Sequence, residues 1–209
     1  ADVDLSTVQA IRAVLEDYDL GAGDTILVDV GRYDLTANIV LDESVSGTGD
    51  AESERFLILG PQLGEAVISR GNTASSAFVF DVVGADFVTL EDLTLTGAFN
   101  GLRATGGVEG LALRDVVLRD NRAEGVLARG AGAAEAMLLE RVSAFRNRDG
   151  VEIAGEGHRV IGGAFFRNTG FGLLVVGADG LVRDATLFAN SSAGLDVRGP
   201  GTVAEQVLV

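Results

Sequence analysis

A six-residue phrase recurs along the chain, and it constrains the fold more than any other feature of the sequence. Each copy begins with a small or apolar residue and has an apolar residue in third place. The last place holds Ala98 in the first copy and asparagine in the next four, at Asn121, Asn147, Asn168 and Asn190. The steps between these places are 23, 26, 21 and 22 residues. A period of this length indicates a solenoid of stacked repeats.

Two further columns keep the same step. A glycine follows each of those places by three or four residues and opens a strand of alternating apolar residues: Gly101, Gly125, Gly150, Gly172 and Gly194. An apolar column consists of Leu90, Leu113, Leu139, Val160 and Val182, and we expect Val203 to continue it. Three short strands per step predict an all-β fold, a right-handed parallel β-helix with three sides, whose coils lie about 4.8 Å apart.

The four asparagines are predicted to form a structural ladder at one corner of this solenoid. Asparagine tolerates the left-handed backbone conformation of a sharp turn, and its side-chain amide can bond to the coils above and below. A turn role is therefore favoured over ligand binding for Asn121, Asn147, Asn168 and Asn190.

The whole chain, residues 1–209, is predicted to form one β-helix domain. Residues 5–17, with Ser6 as N-cap, predict a short N-terminal α-helix that caps the first coil. Residues 24–76 are expected to form the first coils, interrupted by an acidic loop at 42–55, and residues 77–209 the regular coils. The apolar residues 207–209 predict either that this is a fragment of a longer chain or that a partner covers the last coil.

The charge of the chain argues against two classes of partner. The net charge is −15, and all 16 basic residues are arginine. Such a surface repels the phosphates of nucleic acids and anionic membranes. No apolar run approaches the roughly 18 residues of a membrane span, so no membrane insertion is expected. Cysteine is absent, which excludes disulfides and thiol chemistry.

The repeats, together with the opening segments, resemble those of the pectin lyase-like superfamily of right-handed β-helix proteins. The segments are Gly-Asp-Thr-Ile-Leu-Val at 23–28, Gly-Arg-Tyr at 31–33, Ile-Val-Leu at 39–41 and Phe-Leu-Ile-Leu-Gly at 56–60. The resemblance covers nearly the whole chain. It implies a secreted or cell-surface protein and a polysaccharide partner, but the superfamily holds lyases, hydrolases, esterases, epimerases, tailspikes and non-catalytic proteins, so it fixes no single function.

Catalytic motifs of that superfamily are mostly missing. The Tyr-Gly-Phe-Asp-Pro-His motif of alginate epimerases is absent, and Gly157-His158-Arg159 is only a partial match to the polygalacturonase Gly-His-Gly. The chain has no lysine, which excludes a lysine base unless that base lies outside this chain. An arginine-based lyase stays open and would need a Ca²⁺ site. We expect His158, the only histidine, to be a solvated turn residue, and Phe166 and Phe188 to be outward aromatics.

The strand that follows each column glycine offers the candidate binding face. Its outward positions form two files, and we expect Asp81 to pair with Arg103 and Asp196 with Arg198 across or along the coils. The candidate carbohydrate-binding residues on these files are Asp81, Arg103, Arg129, Glu152, Asp196 and Arg198. No catalytic residue, metal ligand or cofactor is assigned.

Two functions remain open on this reading. The first is an extracellular or cell-surface module that is structural or binds a polysaccharide without catalysis. The alternative is a polysaccharide-active enzyme of the uronate lyase or epimerase type, which would use arginine and acidic residues on an outward strand face. Ca²⁺ is expected only if the chain is a lyase.

Overall fold

The computed structural model describes residues 10–129 and 134–209, and it confirms the predicted right-handed parallel β-helix. Three parallel sheets of eight, seven and seven strands form the sides of the solenoid, and one small two-stranded sheet joins Val108–Glu109 to Ala134–Glu135. Each turn of the chain contributes one strand to each side, so every strand is bonded to strands one coil away in the sequence.

The strands of the three sheets have the following bounds. The first sheet contains Thr25–Leu27, Phe56–Leu59, Val88–Glu91, Ala112–Arg114, Leu138–Glu140, Arg159–Ile161, Leu181–Arg183 and Val203–Glu205. The second sheet contains Gly31–Asp34, Ala66–Ser69, Leu93–Thr96, Val117–Arg119, Ser143–Phe145, Ala164–Phe166 and Thr186–Phe188. The third sheet contains Ile39–Asp42, Phe78–Val83, Asn100–Thr105, Glu124–Ala128, Asp149–Ala154, Leu173–Val176 and Leu195–Arg198.

A short helix, Ala10–Asp17, lies at the N-terminal end of the solenoid. Ile11 is buried, and Val14 and Leu15 pack against the core with the same helical face. The helix therefore covers the apolar interior at that end, as its apolar stripe predicts. The predicted part at 5–9, including Ser6, lies outside the described residues. No helix in the described ranges is long and apolar enough to span a bilayer.

The interior is a set of vertical apolar columns. Leu113 lies opposite Leu90 on one side and Leu139 on the other, and the column runs on through Val160 and Val182. The expectation that Val203 continues this column is wrong, because Ala204 pairs with Val182 and Val203 pairs with Leu181. The final strand is shifted by one residue from the predicted register, which turns Val203 toward solvent.

The glycine column is required by close packing of successive coils. A Cβ atom on Gly101 would approach the carbonyl oxygen of Gly125 to 2.7 Å, and one on Gly172 would approach that of Gly194 to 2.6 Å. Real Cβ atoms do not come this close to backbone oxygens. The coils thus leave no space for a side chain along this column.

The asparagines join the coils by hydrogen bonds, but their backbone differs from the expectation. The Oδ1 atom of Asn147 accepts from the backbone N–H of Asn121 at 3.0 Å, and its Nδ2 donates to the carbonyl of Leu118 at 3.0 Å. Equivalent bonds link the others along the column. The left-handed residue of each turn is the one before the asparagine: Asp120, Arg146, Arg167 and Ala189. The predicted left-handed asparagine is therefore wrong.

The corner between the first and second sheets is the tightest. From Val88–Glu91 onward only one or two residues connect the two sheets, and each connection contains at least one residue with positive φ. These residues are Asp92, Asp115, Arg141, the pair Gly162 and Gly163, and Asp184. A single left-handed residue changes the chain direction enough to start the next side.

The acidic segment at 42–55 is attached to the outside of the first sheet. It contains two 3-10 turns, Glu43–Val45 and Glu52–Glu54. Arg55, which is buried, donates to Thr89 Oγ1 at 2.6 Å and to the carbonyl oxygens of Val88 and Gly110. These bonds fix one end of the segment to two neighbouring coils.

Candidate functional site

The outward face of the third sheet holds the predicted binding residues. Strand pairing places Asp81, Arg103, Leu127, Glu152, Leu174 and Asp196 in one file, as the spacing predicts. Arg129 follows directly after the strand Glu124–Ala128, and Arg198 pairs with Val176 in the neighbouring file.

Each of the six candidate carbohydrate-binding residues belongs to an ion pair, and the three pairs are Asp81 with Arg103, Glu152 with Arg129, and Asp196 with Arg198. Arg103 makes two bonds of 2.8 Å to Asp81, and its guanidinium lies 4.2 Å from the centre of the Phe78 ring. The guanidinium of Arg129 bonds to Glu152 at 2.9 Å. At the far end, Arg198 bonds to Asp196 at 2.6 and 3.0 Å. The charge of each of these arginines is therefore balanced by an acid of the protein.

Glu152 also belongs to a second group of residues, which the sequence analysis did not identify. Carboxylate oxygens of Glu124, Asp149 and Glu152 lie within 4.8 Å of one another, and we call these three residues the carboxylate cluster. The residues are 3%, 8% and 5% exposed. Three negative charges this close repel one another strongly where water is excluded, so their ionised form needs positive charge nearby.

The stacking of the coils explains why these residues meet. Asn100, Glu124 and Asp149 each stand one residue before a column glycine, in three successive coils. Glu124 pairs with Asp149 directly across the third sheet, and Glu152 projects from the same strand as Asp149. The signal in the sequence was a polar residue before each of three consecutive column glycines.

Hydrogen bonds occupy most of the cluster. Arg148 bonds through Nη2 to Glu124 and through Nε to Asp149 Oδ2 at 2.9 Å. The other oxygen of Asp149 accepts the backbone N–H of Phe171 at 2.7 Å. Arg148 was missed in the sequence because it lies at the turn, outside both outward files.

Asn100 is the member of the group that is left incomplete. It is 1% exposed, and its Nδ2 donates to Glu124 Oε2. Its Oδ1 has no hydrogen-bond partner among the described residues. A buried amide oxygen without a partner costs about 1–3 kcal/mol. A half-turn of the amide would exchange the two atoms and direct this oxygen at Glu124, an arrangement that is favourable only with a cation between the two oxygens.

The donor set fits a hard divalent cation. Ca²⁺ binds six to eight oxygens at about 2.3–2.6 Å, so ligands on opposite sides of it are about 5 Å apart. The 4.8 Å limit on the carboxylate oxygens agrees with that spacing. Three carboxylates and the oxygen of Asn100 would leave coordination positions for water or a ligand. Mg²⁺ requires near-ideal octahedral geometry and shorter bonds, so Ca²⁺ fits this group better.

His158 lies elsewhere and is not the solvated turn residue that the sequence predicts. It is 2% exposed, and its Nδ1 accepts the backbone N–H of Met137 at 3.2 Å. Burial lowers the pKa of the imidazole below its ordinary value. Its contact with the preceding coil gives it a structural position in the wall of the solenoid.

The outward aromatics form a stack on the second sheet. Ring centres of Phe145 and Phe166 are 4.7 Å apart, and those of Phe166 and Phe188 are 4.8 Å apart. Phe145 was not predicted as part of this group. Because the rings cover one another, the face of Phe166 is not available as a platform for a sugar.

Comparisons with known proteins give the fold. No family model and no curated protein matches the chain. A pectate lyase, Pel9A, superposes with a TM-score of 0.69 at 16% identity over 86% of this chain and 48% of its own. The ORF18 protein of Geobacillus virus E2 superposes with a TM-score of 0.74 at 14% identity, over 96% of this chain and 44% of its own. The A-module of the mannuronan C-5 epimerase AlgE6 of Azotobacter vinelandii superposes with a TM-score of 0.54 at 15% identity, over 97% of this chain and 74% of its own.

These similarities confirm the resemblance to pectin lyase-like β-helix proteins as a resemblance of fold. The chain spans less than half the length of the first two structures. Identities of 14–16% carry no information about which side chains do chemistry.

Proposed function

We propose that this β-helix is a secreted or cell-surface module that binds an acidic polysaccharide through Ca²⁺ held at the carboxylate cluster. The observation that carries the proposal is the meeting of Glu124, Asp149 and Glu152 beside the buried Asn100, whose Oδ1 has no hydrogen-bond partner among the described residues. The three carboxylates offer oxygen ligands beside the outward file of the third sheet, and a half-turn of the Asn100 amide would add a fourth oxygen.

The charges of the molecule favour binding through a cation. The chain carries a net charge of −15, and the arginines beside the cluster are paired with acids. A uronate polymer would therefore meet net repulsion on this face. A bound Ca²⁺ reverses the local charge and can accept a uronate carboxylate in its remaining coordination positions.

The fold gives this proposal independent support. Two proteins that share it are, by name, a pectate lyase and a mannuronan C-5 epimerase. A three-sided solenoid offers long, straight outer faces, and a linear polymer can lie along such a face. Polysaccharides of this kind lie outside the cell, which is the reason for the proposed location.

A uronate lyase or epimerase is the second candidate. It is favoured by the two guanidinium groups that border the cluster, since Arg129 and Arg148 are more than half exposed. A bound cation would polarise the uronate carboxylate and so acidify the proton beside it. The two arginines are then the residues placed to contact the sugar at the reacting position.

Calcium titration and polymer binding test the proposal together. The full chain is titrated with Ca²⁺ by calorimetry and then mixed with polygalacturonate, alginate or chondroitin sulfate, with Ca²⁺ or with EDTA. Glu124→Gln combined with Asp149→Asn removes two ligands while conserving shape. Asp120→Asn is the matched control, because Asp120 is an acid in the same coil that pairs with Arg146 outside the cluster.

The expected result is Ca²⁺-dependent retention of at least one uronate polymer by the wild type and by the control, and its loss in the double variant. Failure of the wild type to bind Ca²⁺ overturns the proposal. Unsaturated product by ultraviolet absorbance, or altered epimer content by NMR, replaces the binding module with the enzyme.

A further inference from the structure

Arg148 occupies the position that a bound cation would need. Its guanidinium bonds to two of the three cluster carboxylates, those of Glu124 and Asp149. The carboxylates are buried, whereas the side chain of Arg148 is 53% exposed. Arg148 therefore covers the cluster from the solvent side and neutralises part of its charge.

We propose that Arg148 is a displaceable counter-ion: it fills the cluster when no cation is bound, leaves when Ca²⁺ enters, and then pairs with a carboxylate of the polysaccharide. This inference rests on the proposed function, since it requires Ca²⁺ to bind Glu124 and Asp149. It adds a residue that contacts the polymer and a reason for cation and polymer to bind cooperatively.

Competition for the same oxygens is the physical reason for the exchange. Ca²⁺ and a guanidinium cannot both lie against one carboxylate group without strong mutual repulsion. Of the groups that bond to the cluster, the backbone N–H of Phe171 is fixed by the fold and Asn100 is buried. Arg129 and Arg148 both have long side chains that are more than half exposed, but Arg129 bonds only to Glu152, whereas Arg148 bonds to two of the three carboxylates. Arg148 loses little buried surface when it moves.

The released guanidinium would stand beside the cation on the same face. Arginine presents a planar fork of donors that matches a carboxylate with two parallel bonds. A polymer with free carboxylates could then be held at two points, one by Ca²⁺ and one by Arg148. The inferred ligand class is an unesterified polyuronate, since a neutral or methyl-esterified chain offers no partner to either group.

Charge removal at Arg148 tests the exchange. Arg148→Met keeps most of the aliphatic side chain but removes the charge, and Arg148→Gln additionally keeps a donor for the buried carboxylates in case the first variant does not fold. Arg146→Met is the matched control, because Arg146 lies in the same coil, is 51% exposed and pairs with Asp120. Calcium affinity is measured without polymer, and polygalacturonate affinity is measured at saturating Ca²⁺.

The variants at Arg148 should bind Ca²⁺ about tenfold more tightly and polygalacturonate about tenfold more weakly, which is within the usual range of coupling between sites. The control should change neither affinity by more than about twofold. Equal Ca²⁺ affinities in the wild type and both Arg148 variants overturn the exchange and leave the proposed function standing. Absence of Ca²⁺ binding in all of them overturns both.

Discussion

Replacing Asn147 by alanine removes a side chain that bonds to the coils on both sides of its own. Its Oδ1 accepts from the backbone N–H of Asn121 at 3.0 Å, and its Nδ2 donates to the carbonyl of Leu118 at 3.0 Å. Asn147 and Asn121 are buried, so water cannot replace these bonds without opening the solenoid. Each backbone group left without a partner in such a place costs about 1–3 kcal/mol, and we expect a total loss of about 3 kcal/mol.

Asn190 supplies an internal comparison. It makes equivalent bonds to the N–H of Asn168 at 3.1 Å and to the carbonyl of Phe165 at 2.9 Å. Asn190 is only partly buried, so water can take over part of its bonding. Asn190→Ala should therefore cost about 1 kcal/mol. The difference between the two positions isolates the effect of burial on the same set of bonds.

Urea denaturation of the wild type and both variants measures this difference, provided that the slopes agree. Asn147→Leu fills the volume without restoring the bonds, and it should be at least as unstable as Asn147→Ala. Equal losses at Asn147 and Asn190 would refute the assigned role of burial. Recovery of stability in Asn147→Leu would show that packing, and not hydrogen bonding, is what the asparagine supplies.

Three further perturbations have defined outcomes. Gly150→Ala should lower the unfolding free energy, measured in urea, by about 2–4 kcal/mol, because the new Cβ meets the carbonyl of the next coil. The Cβ of Gly71→Ala meets no atom within 4 Å, so this control should lower the unfolding free energy by only about 1 kcal/mol, through its positive φ. Burial lowers the pKa of His158, so the unfolded chain binds more protons, and the stability of the fold should decrease as the pH drops below about 6.5. A series of calorimetric Tm measurements from pH 7 to 5 should show a smaller decrease in Tm for His158→Gln than for the wild type. Equal decreases in the two proteins would contradict this. Arg55→Met should lower the unfolding free energy, measured in urea, by about 3 kcal/mol and make residues 43–54 more sensitive to limited proteolysis. Unchanged cleavage would show that other contacts hold the segment.

The fold was predictable because a solenoid converts sequence period into contact. Residues at the same place in successive coils lie one above another, so the column of Leu90, Leu113 and Leu139 is visible in the spacing of the apolar residues. The prediction failed at the last strand, where the apolar Val203 stands one place before the position that the period indicates. The step from Val160 to Val182 is 22 residues, and the same step leads from Val182 to Ala204, the residue that pairs with Val182.

The candidate site was only half predictable, for a related reason. The outward file that contains Asp81, Arg103 and Glu152 follows from strand alternation. Glu124 and Asp149 precede their glycines at the edge of the strand, where alternation gives no direction for the side chain. The reach of Arg148 back to two other residues depends on a turn conformation that the sequence pattern does not contain.

The tight corner between the first and second sheets limits how the gene for such a protein can change in length. One or two residues connect these sheets from the third coil onward, and at least one of them already has positive φ. A one-residue insertion there would turn the following strand inside out, exposing its apolar side chains. From Phe78–Val83 onward, the connections that lead from the third sheet back to the first contain four or more residues. Small insertions and deletions should therefore accumulate between the third and first sheets, and larger changes should occur as the gain or loss of a whole coil.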